Sequence, residues 1–434
     1  MRVVILGAGV AGLTAAYRLG QHRGVETILL ERDEEPGGRV RTKALPDGFY
    51  ADDSAQFVCA NYRRALQLMR EIGVADELEE LRPDRFAAIY RDGRIQPIPA
   101  TVTGLLGTAT FTPAQRLAIV RFALMCVLSY RRGAYVEPWR LRRHDPVRLS
   151  EFVTRKYGAR VLDEIVDPLV SMTMSPAEDL SLGYLISTAS LMLTKHYAFR
   201  RGNGTFTQRL ASACPAVKLA STARRIVIEN DQVTGVELEG DASLLQADAV
   251  ICATPARGAA TLLEGALPEE ARFLEGVPYS TCVQALFTTD APHLPCWGLS
   301  VPSSCGSFLC YVTEETFKSR ARAPEGAGLT QVFVIGGPAR ELLRLEEEEI
   351  ADRVWTEVRR LLPDYPERRS SHVIRREQAM VAPAPGYQHG LQGFNASISR
   401  IRGLHLVSDY QTNPLIEGSV YLAERAVSRI LEEL

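Results

Sequence analysis

The run Val3-Val4-Ile5-Leu6-Gly7-Ala8-Gly9-Val10-Ala11-Gly12 decides how the rest of the chain is read. Its four consecutive apolar residues have the length and texture of a strand buried on both faces. The glycines that follow make a G-x-G-x-x-G turn, and Leu13-Thr14-Ala15-Ala16-Tyr17-Arg18-Leu19 continues at helical spacing until Gly20. Such a hexapeptide carries meaning only between a strand and a helix, and here it has both. A second apolar run, Thr27 to Leu30, completes a β-α-β unit and predicts a parallel sheet at the start of the chain. In this context Gly7 permits the tight bend, Gly9 lets the backbone approach a diphosphate, and Gly12 lets helix pack on strand. Glu31 ends the second strand, 19 residues after Gly12, where a carboxylate accepts hydrogen bonds from an adenosine ribose and disfavours a 2′-phosphate. A glycine turn with a surface glutamate is the plain structural alternative.

Around this start, 434 residues leave room for two to three domains of about 150 residues each. An apolar fraction of 46% with 24% charged residues excludes wholesale disorder and fibrous repeats. Fifty basic residues against 52 acidic ones leave a net charge of -2, no field for a nucleic acid partner. The eight cysteines form no C-x-x-C pair, so no metal site and no redox dithiol is expected. The first residues lack the charged n-region and apolar h-region of a leader, and no apolar run reaches the roughly 18 residues that span a bilayer, so a cytoplasmic setting is expected.

Residues 62–202 change texture to longer helical periods, at Arg63 to Ile72, Pro113 to Tyr130 and Leu149 to Val170. Strand signals return at Val217 to Leu219, Arg225 to Glu229 and Val233 to Leu238, with Asn230-Asp231 as a turn, then at Ala249 to Ala253. A mixed stretch with a charged helix from Glu341 to Leu362 follows, and the end returns to a strand, Leu404 to Val407, and a helix from Ser419 to Leu431. With no repeats and no low-complexity linker, interleaved domains are expected. Residues 1–61, 203–275 and 393–434 would form one discontinuous domain, 62–202 a mainly helical insertion and 276–392 a mixed-sheet substrate domain.

A second glycine turn, Gly37-Gly38-Arg39-Val40-Arg41-Thr42, follows Glu31 after five residues and carries cations suited to phosphate. Together with Gly7 to Gly12 and Glu31 it resembles the FAD-binding signature of the amine oxidase, protoporphyrinogen oxidase and phytoene desaturase superfamily. The resemblance continues through Gly48 to Gln56, where Ser54 stands for the usual glycine, and through Phe199 to Phe206. It covers Arg225-Ile226-Val227-Ile228, Asp248 to Pro255, and Leu406-Val407-Ser408-Asp409-Tyr410, where Ser408 again replaces glycine. It implies an α/β fold with a Rossmann-type FAD-binding domain, related to that of glutathione reductase, and a helical insertion. Ala11, Arg32, Gly38, Arg39, Gln56, Val227, Asp409, Ile416 and Ser419 would join Gly7, Gly9, Gly12 and Glu31 in holding FAD. The FAD would be noncovalent, because no cysteine follows Cys310.

The default activity implied is oxidation of a C–H bond beside nitrogen, or of a single bond to a double bond. Amine oxidases of the superfamily place a lysine in the strand matching Val277 to Phe287, which has none here. Asp167 to Ser171, Asp179-Leu180-Ser181 and Pro385 to Gly390 look more like the protoporphyrinogen oxidase branch. A bulky, lipophilic small-molecule substrate is therefore expected, with oxygen or a quinone accepting the electrons; a flavin amine oxidase and a non-redox isomerase remain alternatives. Tyr387, His389 and Tyr410 are the candidates for acid or base work, against core or capping roles. Leu117 to Tyr130, followed by Arg131, Arg132, Arg140, Arg142 and Arg143, would suit peripheral contact with an anionic membrane, against ordinary packing beside a basic turn.

Overall fold

The computed structural model describes residues 1–98, 110–192 and 194–433. The opening strand, Arg2–Leu6, lies at the centre of a five-stranded parallel sheet in the order Val217–Lys218, Glu26–Leu30, Arg2–Leu6, Ala249–Cys252, Leu404–Leu406. Its side chains alternate between two cores, as strand geometry demands. Val3 and Ile5 meet the helices Val10–Leu19, Arg63–Glu71, Gly204–Ser212 and Ile416–Glu432. Val4 and Leu6 meet a three-stranded meander of residues 223–246 and the helices Ala256–Leu263, Pro268–Glu275 and Tyr387–Ile398. Asn230 and Asp231 both take positive φ, 51° and 58°, which gives the meander its tight hairpin turn.

A seven-stranded sheet runs in the order Arg368–Arg376, Cys282–Thr289, Gly328–Ile335, Tyr311–Glu314, Gly298–Ser300, Ala87–Arg91, Arg94–Ile98. The amphipathic helix Glu347–Leu361 buries Ile350, Val354 and Val358 against it. Two of its strands, Ala87–Arg91 and Arg94–Ile98, come from the stretch expected to be mainly helical. The boundary expected between 392 and 393 falls inside the helix Tyr387–Ile398, which packs on the parallel-sheet side. The helix expected over 149–170 breaks at Gly158, where φ is +95°. The last helix begins at Ile416, three residues before the expected Ser419.

Where the parallel sheet and the mixed sheet meet, four ionised side chains lie fully buried: Asp52, Glu315, Lys318 and Arg322. Arg322 Nη1 donates to Asp52 at 2.7 Å and to Glu315 at 3.0 Å, and Lys318 Nζ stands 2.8 Å from Glu315. The backbone N–H of Asn203 donates to Asp52 at 2.7 Å, and Lys318 donates to the Gln56 oxygen at 2.5 Å. Burial alone would push the Asp52 carboxyl up, but Arg322 and Lys318 outweigh it and hold that carboxyl below the usual range. Removing one partner of such a group strands a buried charge, so Arg322→Leu is expected to cost about 3–5 kcal/mol in urea unfolding. A carboxyl depressed in the folded state stabilises above its unfolded pKa and stops doing so as pH falls through the folded value. The wild-type thermal midpoint should therefore fall on acidification below about pH 4, and the Arg322→Leu variant should lose less over the same interval; equal losses would refute the assignment.

Candidate active site

The cavity at the carboxyl ends of the parallel strands follows from backbone approach. Gly7 takes φ +100°, and a Cβ on Gly12 would stand 1.9 Å from the Gly7 carbonyl oxygen. The second glycine turn docks on the first, with the Gly37 N–H donating to the Ala8 carbonyl at 2.8 Å and Gly9 bridged to Gly37. A Cβ on Gly9, by contrast, would meet nothing within 4 Å, because that position faces the cavity. The cleft holds about 700 Å³, a size suited to a large cofactor.

Glu31 lines the cavity and accepts from the Ala8 N–H at 2.6 Å and from the Asp33 N–H at 3.0 Å, so its carboxylate is fixed at the end of the second strand. Arg39 Nη1 reaches across to Asp409 Oδ2 at 2.6 Å and to the Ala379 carbonyl at 3.2 Å. Burial works against the Arg39 charge, yet the neighbouring Asp409 carboxylate holds the guanidinium above the usual arginine range. Arg32, Arg39, Arg41, Arg257, Arg375 and Arg376 all line the space, as does Ser419 in the first turns of the last helix. Six arginines and a helix N-terminus around glycine backbone suit a diphosphate, and Glu31 suits an adenosine ribose, so the residues present fit FAD.

Of the residues expected to hold FAD, Gly7, Gly9, Ala11, Glu31, Arg32, Gly38, Arg39, Asp409 and Ser419 line this cavity. Gly12 serves helix packing behind it, and Ile416 is buried in the helix-side core. Gln56 is buried with its oxygen on Lys318, and Val227 lies beyond Ser221, Thr222 and Ala223, which do the lining in its place. Ser408 has an extended backbone, φ -146°, so no glycine is needed there, and its hydroxyl donates to Asp409 at 3.0 Å.

The structure does not bring the expected acid and base candidates together at the cavity. His389 is exposed on the helix Tyr387–Ile398. The Tyr387 hydroxyl donates to the Tyr410 carbonyl at 2.6 Å, and Tyr410 is buried in the core beneath the sheet. Tyr279 was missed: its hydroxyl accepts from the Ala256 N–H at 3.1 Å and lies 3.3 Å from Asp409 Oδ1. It sits in the Val277 to Phe287 stretch read only for lysine. Arg257, Arg375, Arg376 and Gln378 were missed as well, having no motif to mark them. Among the described residues, no group of three or more His, Cys, Asp or Glu is placed to hold a metal.

Two substitutions separate cavity from fold. Gly9→Val puts its side chain into open space at φ -75°, so the protein should fold within about 1 kcal/mol of wild type while losing bound FAD, read as visible absorbance per polypeptide. Gly12→Ala drives a methyl into the Gly7 carbonyl and should prevent folding itself. A yellow, fully loaded Gly9→Val protein would contradict the placement.

Comparison with known proteins bears on the family, the fold and the cofactor. A coproporphyrinogen III oxidase from Propionibacterium freudenreichii subsp. freudenreichii is 26% identical, over 87% of this chain and 80% of the relative. A 15-cis-phytoene desaturase from Capsicum annuum is 23% identical over 100% of this chain and 78% of its own. A solved structure of a putrescine oxidase triple mutant shares the fold, with a TM-score of 0.78 at 19% identity, covering 100% of this chain and 99% of that one. The family model of flavin containing amine oxidoreductases matches residues 10–431, nearly the whole length, and the chain belongs to that family as an FAD-dependent oxidoreductase.

Proposed function

We propose that the protein removes a hydride from a bulky, largely apolar small molecule, in the manner of porphyrinogen oxidases and desaturases, with oxygen or a quinone taking the electrons. The observation that carries this reading lies beyond the Arg39 end of the cavity. Ala379, whose carbonyl accepts from Arg39, belongs to a buried cluster with Phe86, Met174, Trp297, Tyr311 and Phe333, packed by Phe57, Met172 and Met380. Trp297 stacks on Phe86 at 5.1 Å and Phe86 on His196 at 4.6 Å, so a cluster of flat apolar faces packs behind that end of the cavity. Burial pushes His196 down to about 4, so the cluster carries no charge from it at neutral pH. Met174 holds φ +56°, a strained conformation kept in place by its packing.

Lys318 stands 5.4 Å from the Trp297 ring, but its ammonium is committed to Asp52, Glu315 and Gln56. The strand Cys282–Thr289 offers no lysine. FAD, when bound, supplies the hydride acceptor. The chain's own part would be to hold an apolar substrate between the cofactor and this aromatic cluster and to exclude water. The names of the porphyrinogen oxidase and desaturase relatives point the same way. Anaerobic mixing with porphyrinogens, polyenes and amines tests it: the visible flavin band should bleach with one of the first two classes. Bleaching by amines alone would favour an amine oxidase, and turnover without consumption of any acceptor would favour an isomerase; either overturns the proposal.

We further propose that the helix Pro113–Ser129 rests on an anionic lipid surface. Leu117, Val120, Leu124, Val127 and Leu128 recur at helical spacing and are 39–70% exposed. Arg121 lies on the same helix and Arg131, Arg132, Arg142 and Arg143 follow it in the chain, all of them exposed. Between Phe111 and Arg148, eight arginines face two acidic residues, Glu137 and Asp145. Apolar side chains rimmed by arginine complement acyl chains beneath anionic headgroups, each cation near the surface contributing about 1 kcal/mol. No described helix is long and apolar enough to cross a membrane. The protein should sediment with phosphatidylglycerol vesicles and not with phosphatidylcholine vesicles, and Leu124→Ser with Leu128→Ser should abolish this at unchanged thermal midpoint. A dimer in solution that the same variant dissociates, with no vesicle binding, would refute the lipid assignment.

A further inference from the structure

Six arginines line the FAD cavity, more than a diphosphate calls for. Their surroundings sort them. Arg32 and Arg41 stand beside Asp33, which lines the cavity with them at the Glu31 end. Arg39 is paired with Asp409, so both signs of that pair face the cavity. Arg257 and Arg375 are exposed, where water and salt screen their charge. Of the six, among the described residues, only Arg376 is backed by a carboxylate that does not itself line the cavity. Its Nε donates to Asp53 Oδ1 at 3.0 Å and its Nη2 pairs with Asp53 Oδ2, a two-pronged contact that fixes the guanidinium plane. Asp53 is buried and held in turn: its N–H donates to the Arg41 carbonyl at 3.0 Å, and Gln284 Nε2 donates to its carbonyl at 2.5 Å. The pair is thus an oriented dipole, positive end at the cavity and negative end in the protein interior.

Which part of FAD meets that positive end follows from the cavity itself. With the adenosine at Glu31 and the diphosphate over the first glycine turn, the far end is left for the flavin ring. That end is lined by the second glycine turn, Asp409 and residues 375–378. Arg376 also pairs in register with Cys282, a member of the aromatic cluster behind Arg39, so it stands where cavity and cluster meet. A hydride delivered to the flavin ring brings one negative charge with it, and charge close to the ring tunes its electronics. No lysine or histidine lines the cavity among the described residues, so arginine must supply any side-chain cation there. We propose that Arg376, oriented by Asp53, faces the flavin ring, stabilises the negative charge of its reduced form and so raises the reduction potential of bound FAD. Asp53 is the positioning residue, and its own charge, one side chain further back, opposes part of the effect.

The test is the two-electron reduction potential of the FAD-loaded protein, read against a reference dye during anaerobic reduction. Arg376→Met should make reduction about tenfold less favourable, which is ~30 mV for a two-electron couple. Arg376→Lys keeps the charge and should stay close to wild type. Asp53→Asn should shift the potential upward, because the counter-charge is gone while an amide oxygen still accepts from Arg376. Sulfite, which adds to oxidised flavin and leaves a negative charge on the ring, should bind most tightly to Asp53→Asn and least tightly to Arg376→Met. Opposite signs from the two halves of one ion pair separate an electrostatic role from a strut, whose loss lowers the thermal midpoint in both variants without reversing the potential. Potentials that move in the same direction, or do not move, would overturn the proposal. If Arg376→Met fails to load FAD, the upward shift in Asp53→Asn still decides it. Neither readout depends on which substrate the protein oxidises.

Discussion

Asp52 is the joint on which the molecule turns. Its carboxylate gathers Arg322 and Lys318 from the segment after the strand Tyr311–Glu314, the Asn203 N–H from the turn entering the helix Gly204–Ser212, and Thr42 from its own hairpin. Two negative and two positive side chains are buried together, so the group is neutral as a whole. Such networks rarely outperform an apolar core in net stability, and their best-attested use is to fix register. Here that use is visible in the backbone. Gln284 and Gln331, from adjacent strands of the mixed sheet, donate to the carbonyls of Asp53 and Asp52 at 2.5 Å and 3.0 Å. The two halves of the molecule are thereby locked where the hairpin Thr42–Leu45 and Phe49–Asp52 leaves the second glycine turn.

That lock matters because the FAD cavity is made of backbone rather than side chains at its narrow end. Gly7, Gly12 and Gly37 leave no space for a Cβ, while Gly9 leaves its open space to the ligand. A shift of the second glycine turn by a fraction of an ångström would close the path or open a void, since close-packed interiors do not deform smoothly. At the wide end the arrangement is ionic: Arg39, Asp409 and Tyr279 form a chain of contacts linking the second glycine turn, the mixed-sheet segment and the last parallel strand.

The parallel sheet, its first helix and the glycine turns were legible in the sequence because each rests on short-range signals: an apolar run, a glycine spacing, a carboxylate at a strand end. Ser54 and Ser408, which stand where glycine is usual, turn out to need no left-handed backbone. What could not be read is what depends on long-range meeting. Lys318 and Arg322 lie in a segment with no motif, and their importance appears only when residues more than 260 positions apart in sequence come within 3.3 Å. The strand Ala87–Arg91 pairs on one side with Gly298–Ser300, some two hundred residues later, but on the other it makes a local hairpin with Arg94–Ile98 through Asp92-Gly93, a turn signal that the helical reading of this stretch passed over. His389 drew attention through its neighbours in sequence, yet helix periodicity turns it to solvent while Leu391 and Phe394 face the core.

The ionisable groups nearest the cavity also limit what the protein does chemically. Burial, reinforced by the Asp409 carboxylate, pushes the Tyr279 hydroxyl far up, and burial does the same to Tyr387 and Tyr410. All three are neutral at physiological pH, and their hydroxyls face a carboxylate, a carbonyl or the core, so none is poised to accept a proton from a substrate. Arg39 cannot act as a base either, being held above its ordinary range. Cations suited to phosphate and tyrosines held neutral fit the proposed reaction, in which a hydride leaves carbon and the proton is lost elsewhere. In such a reaction the rate depends on distance and angle between substrate and acceptor, and the rigid joint at Asp52 and the glycine contacts would act by holding that geometry.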